Sequence, residues 1–180
     1  ADPQAAARGM QRLRELGHDV RDLTIGHARH QRFAADDAGR IAQLYVAASD
    51  PQVELVMALR GGYGLSRLLL QIDFARIAAA GKRWVGHSDF TAFQMGLLAI
   101  AGAASFAGPM ICDDFSRPDP SDFTLGEFWR CLGSRALTIR VDHHGNPEVE
   151  VSGRLWGGNL AMLCHLVGSR WMPAINGGIL

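Results

Sequence analysis

The sequence predicts an α/β fold: a mostly parallel sheet flanked by helices, of the flavodoxin-like or Rossmann-like kind. Segments with apolar residues at helical spacing alternate with short apolar runs, and the runs empty directly into glycine-rich turns. Helical stretches of about ten residues between the runs suit right-handed crossovers between parallel strands. In chain order, Ala6, Met10, Leu13 and Leu16 mark a first helix that stops at Gly17, and residues 20–23 read as a short strand. A second helix runs from Asp36 or Asp37 to about Ala48, ahead of Asp50-Pro51. Residues 53–59 form an apolar strand of the kind buried in a parallel sheet. Helix is predicted over 67–70 and continued over 74–80, strand over 84–86, helix over 90–101 and strand over 104–106. Residues 113–120 read as a polar loop and 123–132 as a helix. Residues 137–141 and 148–151 read as a hairpin across Asp142-His143-His144-Gly145-Asn146. A helix starts at Gly157-Gly158-Asn159 and ends at Gly168, and 177–180 reads as a turn feeding a strand.

Composition narrows the function. Apolar residues make up 48% of the 180, enough for a buried core and too many for a disordered chain. Eighteen basic residues balance eighteen acidic ones with no block of like charge, so no nucleic-acid partner is expected. Lys82 is the only lysine; the other cations are arginines, which suit carboxylate recognition. No apolar run reaches the roughly 18 residues of a membrane span, and the closest, 90–106, is broken by Gln94, Gly96 and Gly102. No membrane partner is expected either. Cys112, Cys131 and Cys164 are dispersed and odd in number, which fits buried thiols better than disulfides or a metal site. The seven histidines contain no H-E-x-x-H, so no metal is predicted, and the glycines of 61–64 make neither G-x-G-x-x-G nor a P-loop, so no nucleotide cofactor is predicted either.

Two segments carry candidate chemistry. Gly86-His87-Ser88-Asp89-Phe90 joins a predicted strand to a predicted helix, where a tight turn exposes a serine hydroxyl and sets the next amide at a helix N-terminus. That arrangement suits Ser88 as the nucleophile of acyl transfer; alternatively Ser88 or Asp89 caps the helix. Phe90 stands where G-x-S-x-G has its second glycine. His87 and Ser88 are adjacent and point to opposite sides, so His87 suits packing better than proton transfer. Arg60-Gly61-Gly62-Tyr63-Gly64 follows the 53–59 strand. Its glycines let backbone amides approach an anion, and Arg60 is placed to meet a carboxylate, although the same cluster also suits a plain tight turn. Asp113-Asp114 reads as a solvated turn, and His165 as helix surface or core.

These motifs, in this order, resemble the LD-carboxypeptidase family, the muramoyltetrapeptide carboxypeptidases of serine peptidase family S66. The resemblance rests on RGMQRLRELGHDV, RGGYGLSRLL with Ile72-Asp73, VGHSDFTAFQMGLLA, 106–110, and LWGGNLAMLCHLVGS with Trp171-Met172-Pro173. It implies a cytoplasmic, usually homodimeric two-domain enzyme of peptidoglycan recycling that uses a Ser-Glu-His triad and no cofactor. Its reaction removes terminal D-alanine from murein tetrapeptides. By resemblance Ser88 is the nucleophile. The amides of Asp89 and Gly62 form the oxyanion hole, with Gly61 the close alternative to Gly62. Arg60, Gly61, Tyr63 and Asn159 are candidates for substrate binding. A related peptidase or amidase acting on another acyl peptide, and a noncatalytic cell-wall-peptide binding module, are the alternative readings. The expected organisation is a nucleophile domain over 1–110, a connection over 111–152 and the start of a second domain over 153–180. The family's first strand, its glutamate and its histidine are expected outside these residues, leaving the isolated chain with little activity.

Overall fold

The computed structural model describes residues 2–24, 30, 33–142, 145 and 148–180. Its centre is a three-stranded parallel sheet, β1 (Leu55–Met57), β2 (Arg83–Gly86) and β3 (Phe106–Ala107), in spatial order 1-2-3. Leu55 pairs with Arg83, and Val85 pairs with Phe106. The helices are α1 (Pro3–Glu15), α2 (Asp37–Ser49), α3 (Phe74–Ala79), α4 (Thr91–Ala101), α5 (Asp122–Gly133) and α6 (Leu160–Leu166). The α/β class is therefore as predicted.

β2 shows why the sheet is buried on both sides. Successive side chains alternate faces, so fully buried Trp84 joins one core and fully buried Val85 the other. The Trp84 side is filled by Leu68, Leu69, Phe74, Ile77, Phe93 and Leu97, together with Met162, Leu163 and Leu166 of α6. The Val85 side holds Leu13, Ile111, Phe115 and Phe128.

Local chemistry sets the element ends. Asp36 and Ser121 accept helix amides as N-caps of α2 and α5, and Gly102 closes α4 at φ 64°. Asp73 does the same for α3, accepting from Arg76. This cap and the extended Ile72 separate the 3₁₀ turn Ser66–Gln71 from α3, where the sequence suggests one continuous stretch.

The structure also corrects several other expectations. Strand β1 is shorter than 53–59, because beyond Met57 the Ala58 and Leu59 carbonyls receive the amides of Ile111 and Cys112. Residues 20–23 form no strand. The Val20 carbonyl takes the Arg14 guanidinium in place of a ladder amide, and the Arg21 side chain binds Asp50 and Gln52. β3 starts at Phe106 rather than 104, after the left-handed Gly102 and a short linker. The first part of the 113–120 loop is a π-helical turn, Ile111–Phe115, drawn in by burial of Ile111 and Phe115. Residues 137–141 and 148–151 carry no ladder, and Ile139, Val141, Val149 and Val151 stay exposed. His27 and the turn residues His143, His144 and Asn146 lie outside the described residues. The final turn makes a single parallel bridge, Leu155 to Ile179. No helix of the described residues is long and apolar enough to cross a membrane.

Candidate active site

β2 delivers the chain to a sharp turn. His87 is extended (φ −143°, ψ −168°), and Ser88 then adopts φ 56°, the left-handed region that L side chains disfavour. No other non-glycine residue described has a positive φ. Strain of this kind holds a side chain where relaxed backbone would not put it. Gly86 is packed so closely that a Cβ there would lie 2.7 Å from the Phe90 ring and 3.0 Å from the Ala58 Cβ. The turn cannot drop back toward the sheet.

Neither Ser88 nor Asp89 caps the following helix. No side chain caps α4 or the 3₁₀ turn Ser88–Phe90, and the Ser88 hydroxyl makes no hydrogen bond among the described residues. The Asp89 carboxylate instead turns to the glycine-rich loop, where its Oδ2 accepts the Leu65 amide at 3.0 Å. Asp89 is buried, and its Oδ1 has no hydrogen-bond partner among the described residues. Burial raises its pKa above the ordinary carboxylate value; the amides of Leu65 and Gly64 and the charge of Arg40 pull the other way. Arg40 braces the same loop, donating to the Gly64 carbonyl at 3.2 Å. Burial in turn lowers the Arg40 pKa, opposed by the nearby carboxylates of Asp37 and Asp89.

The raised Asp89 pKa makes a prediction about stability. Between the unfolded and native pKa values the native state holds the proton more tightly. The contribution of Asp89 to stability therefore falls as pH rises through that interval and stays low above it. Asp89→Asn carries no such titration. Its stability relative to wild type should shift in favour of asparagine from about pH 4 to about pH 7, as read by urea unfolding at each pH. A difference independent of pH would show that the carboxylate is not held in this environment.

The loop closes over Ser88 from the end of β1. A Cβ on Gly61 would lie 2.9 Å from both the Cβ and the Oγ of Ser88, so the bare Gly61 backbone packs directly on the serine. Of the two candidate glycines, Gly61 is the one in contact with that side chain. Gly62 (φ 152°) has open space where a Cβ would project, and Tyr63 beside it is 75% exposed. Arg60 is exposed and has no carboxylate partner among the described residues.

Among the described residues His87 makes no hydrogen bond to Ser88, and sequence reasoning missed the partner it does have. The His87 Nε2 lies 3.3 Å from the Asp114 Oδ2, which also accepts the Met110 amide at 2.8 Å. Asp114 is thus an anchored group on the π-helical turn and not a solvated loop residue. Asn159 sits at the start of α6, its Oδ1 accepting the Met162 amide at 3.1 Å and its own amide donating to the Thr91 Oγ1 at 3.0 Å. His165 lies exposed on α6. The cysteines are free, but Cys164 is exposed, contrary to the expectation of buried thiols. Cys112 is partly buried, and burial raises its thiol pKa. Among the described residues no group of three or more His, Cys, Asp or Glu side chains is arranged to hold a metal.

Comparison with known proteins agrees with this geometry. The LD-carboxypeptidase N-terminal domain matches residues 1–108 and the LD-carboxypeptidase C-terminal domain matches residues 152–180. The crystal structure of muramoyltetrapeptide carboxypeptidase from Oxalobacter formigenes superposes with a TM-score of 0.94 at 47% identity, covering 100% of this chain and 60% of that one. The probable murein peptide carboxypeptidase of Bacillus subtilis is 28% identical over 171 residues, 93% of this chain and 54% of its own length. The microcin C7 self-immunity protein of Escherichia coli is 29% identical over 163 residues, 73% of this chain and 47% of its own. The chain thus spans about half the length of these curated relatives. With a strained serine between β2 and α4, a glycine loop packed on it and a profile match across 1–108, the chain belongs to the LD-carboxypeptidase family.

Proposed function

We propose that this chain carries the nucleophile of a serine carboxypeptidase that hydrolyses the L,D-peptide bond before the terminal D-alanine of murein tetrapeptides. The observation that carries the reading is Ser88 at φ 56°, its hydroxyl unengaged, under the Gly61 backbone. In the proposed reaction the Ser88 oxygen attacks the carbonyl carbon and its proton passes to a base. The amides of Asp89 and Gly62, with Gly61 as the alternative to Gly62, stabilise the tetrahedral oxyanion. Collapse breaks the C–N bond and D-alanine leaves with the proton. Water then hydrolyses the acyl-serine. Arg60, Tyr63 and Asn159 are assigned to substrate binding, Arg60 facing a carboxylate. With Asp114 holding His87, the base and the carboxylate that orients it are assigned to a histidine and a glutamate outside these 180 residues. The domain division at 1–110, 111–152 and 153–180, a cytoplasmic location and a homodimer belong to the same reading.

Similarity to the microcin C7 self-immunity protein supports a second reading, in which the same attack machinery cleaves a different acyl peptide. The full-length gene product should release D-alanine from L-Ala-D-Glu-meso-diaminopimelate-D-Ala at least about a hundredfold faster than L-alanine from the L-terminal epimer. Equal rates on the two epimers would overturn the L,D assignment and favour the second reading.

A further inference from the structure

Thr91, three residues after Ser88, is the first residue of α4 and is fully buried. Its hydroxyl oxygen faces the second family segment and accepts the Asn159 amide at 3.0 Å. The contact admits no slack. A Cβ on Gly158 would lie 2.6 Å from the Thr91 Oγ1 and 2.8 Å from its Cγ2, and Gly158 has φ 151°. The backbone of 158–159 is therefore seated on one side chain at the base of the serine turn.

The chain beyond Gly158 is anchored in turn. Asn159 N-caps α6 through its Oδ1, and Met162, Leu163 and Leu166 bury α6 in the core shared with Phe90 and Phe93. Helix packing holds α6 laterally, whereas the Thr91 contact sets where it begins. With Oδ1 committed to the cap, the Asn159 Nδ2 has no partner among the described residues. Asn159 itself is exposed, so its carboxamide has two N–H donors to offer a substrate carboxylate or carbonyl.

We infer that Thr91 is a positioning residue, which holds the Asn159 carboxamide in register with Ser88 by accepting its backbone N–H against Gly158. The inference rests on the reading of Ser88 as nucleophile and Asn159 as a substrate contact. Thr91 touches neither substrate nor reacting atoms. It acts through Asn159.

The experiment is a double-mutant cycle on the full-length gene product with the murein tetrapeptide. Thr91→Val keeps the shape and removes the acceptor, and should lower kcat/KM about 10- to 100-fold. Thr91→Ser restores the acceptor and should recover most of that loss. Asn159→Ala should lower kcat/KM similarly, and adding Thr91→Val to it should cost less than about threefold more. A purely structural threonine would give multiplicative losses in the double variant, which would overturn the inference, as would wild-type kcat/KM in Thr91→Val. Gly158→Ala approaches the same contact from the other side and should match Thr91→Val. Turnover retained by Ser88→Ala would overturn the nucleophile reading and with it the register to Ser88, whereas multiplicative losses alongside an inactive Ser88→Ala would overturn the Thr91 inference alone.

Discussion

Replacing Ser88 by alanine should lower kcat/KM of the full-length gene product at least about 10³-fold, and toward 10⁶-fold if the partners work as a unit, with tetrapeptide affinity within about threefold. The size follows from what the side chain does in the structure. Its hydroxyl neither caps a helix nor hydrogen-bonds a neighbour among the described residues, so removing it breaks no hydrogen bond of the fold. The oxyanion amides and the binding surface stay in place and account for the residual rate. A second variant separates chemistry from strain. Ser88→Gly relieves the left-handed φ of 56°, worth roughly 1 kcal/mol, so it should be more stable than wild type and as inactive as Ser88→Ala. Release of D-alanine by Ser88→Ala at more than a tenth of the wild-type rate would remove Ser88 from the reaction.

The parts legible in the sequence are those set by local chemistry. The G-H-S-D-F turn is readable because an apolar run meets glycine before a helix pattern, and α4 ends where Gly102 takes its left-handed cap. The partner of His87 is not legible, since Asp114 lies 27 residues away on a turn whose π-helical shape comes from burying Ile111 and Phe115, a tertiary effect with no periodic signature. The same limit explains residues 20–23 and the 137–151 hairpin. The alternating apolar residues of 137–141 and 148–151, and the apolar ends of 20–23, state a preference for extended chain, but a strand exists only where a second chain segment completes the ladder. Asp89 is intermediate. Its position beside the serine is evident, whereas its use as a tie to Leu65, 24 residues away, needs the fold.

Alanine at Gly61 should cost about a hundredfold in kcat/KM while leaving the protein folded, because the new methyl meets the serine and nothing else rigid. A Cβ at 61 would stand 2.9 Å from the Ser88 Cβ and Oγ, and its next neighbour, the end of the flexible Met110 side chain, is at 3.7 Å. Gly61 has no positive φ, so backbone strain does not enter. Something has to give by several tenths of an ångström. Arg40 and Asp89 tie the far end of the loop at Gly64 and Leu65, and Gly86 has no room to retreat from Phe90 and Ala58, so the displacement falls on the serine turn and the loop start. An error of that kind at an attacking oxygen is costly because the acyl-transfer geometry tolerates little misplacement. The loss should appear in kcat more than in KM. Gly126→Ala is the matched control: it lies within α5, has no atom within 4 Å of the added methyl, and should gain about 0.5–1 kcal/mol of stability with unchanged turnover. Wild-type kcat in Gly61→Ala would mean that the loop stands off the serine in solution, and the close approach of the β1 loop to Ser88 would then have no part in the reaction.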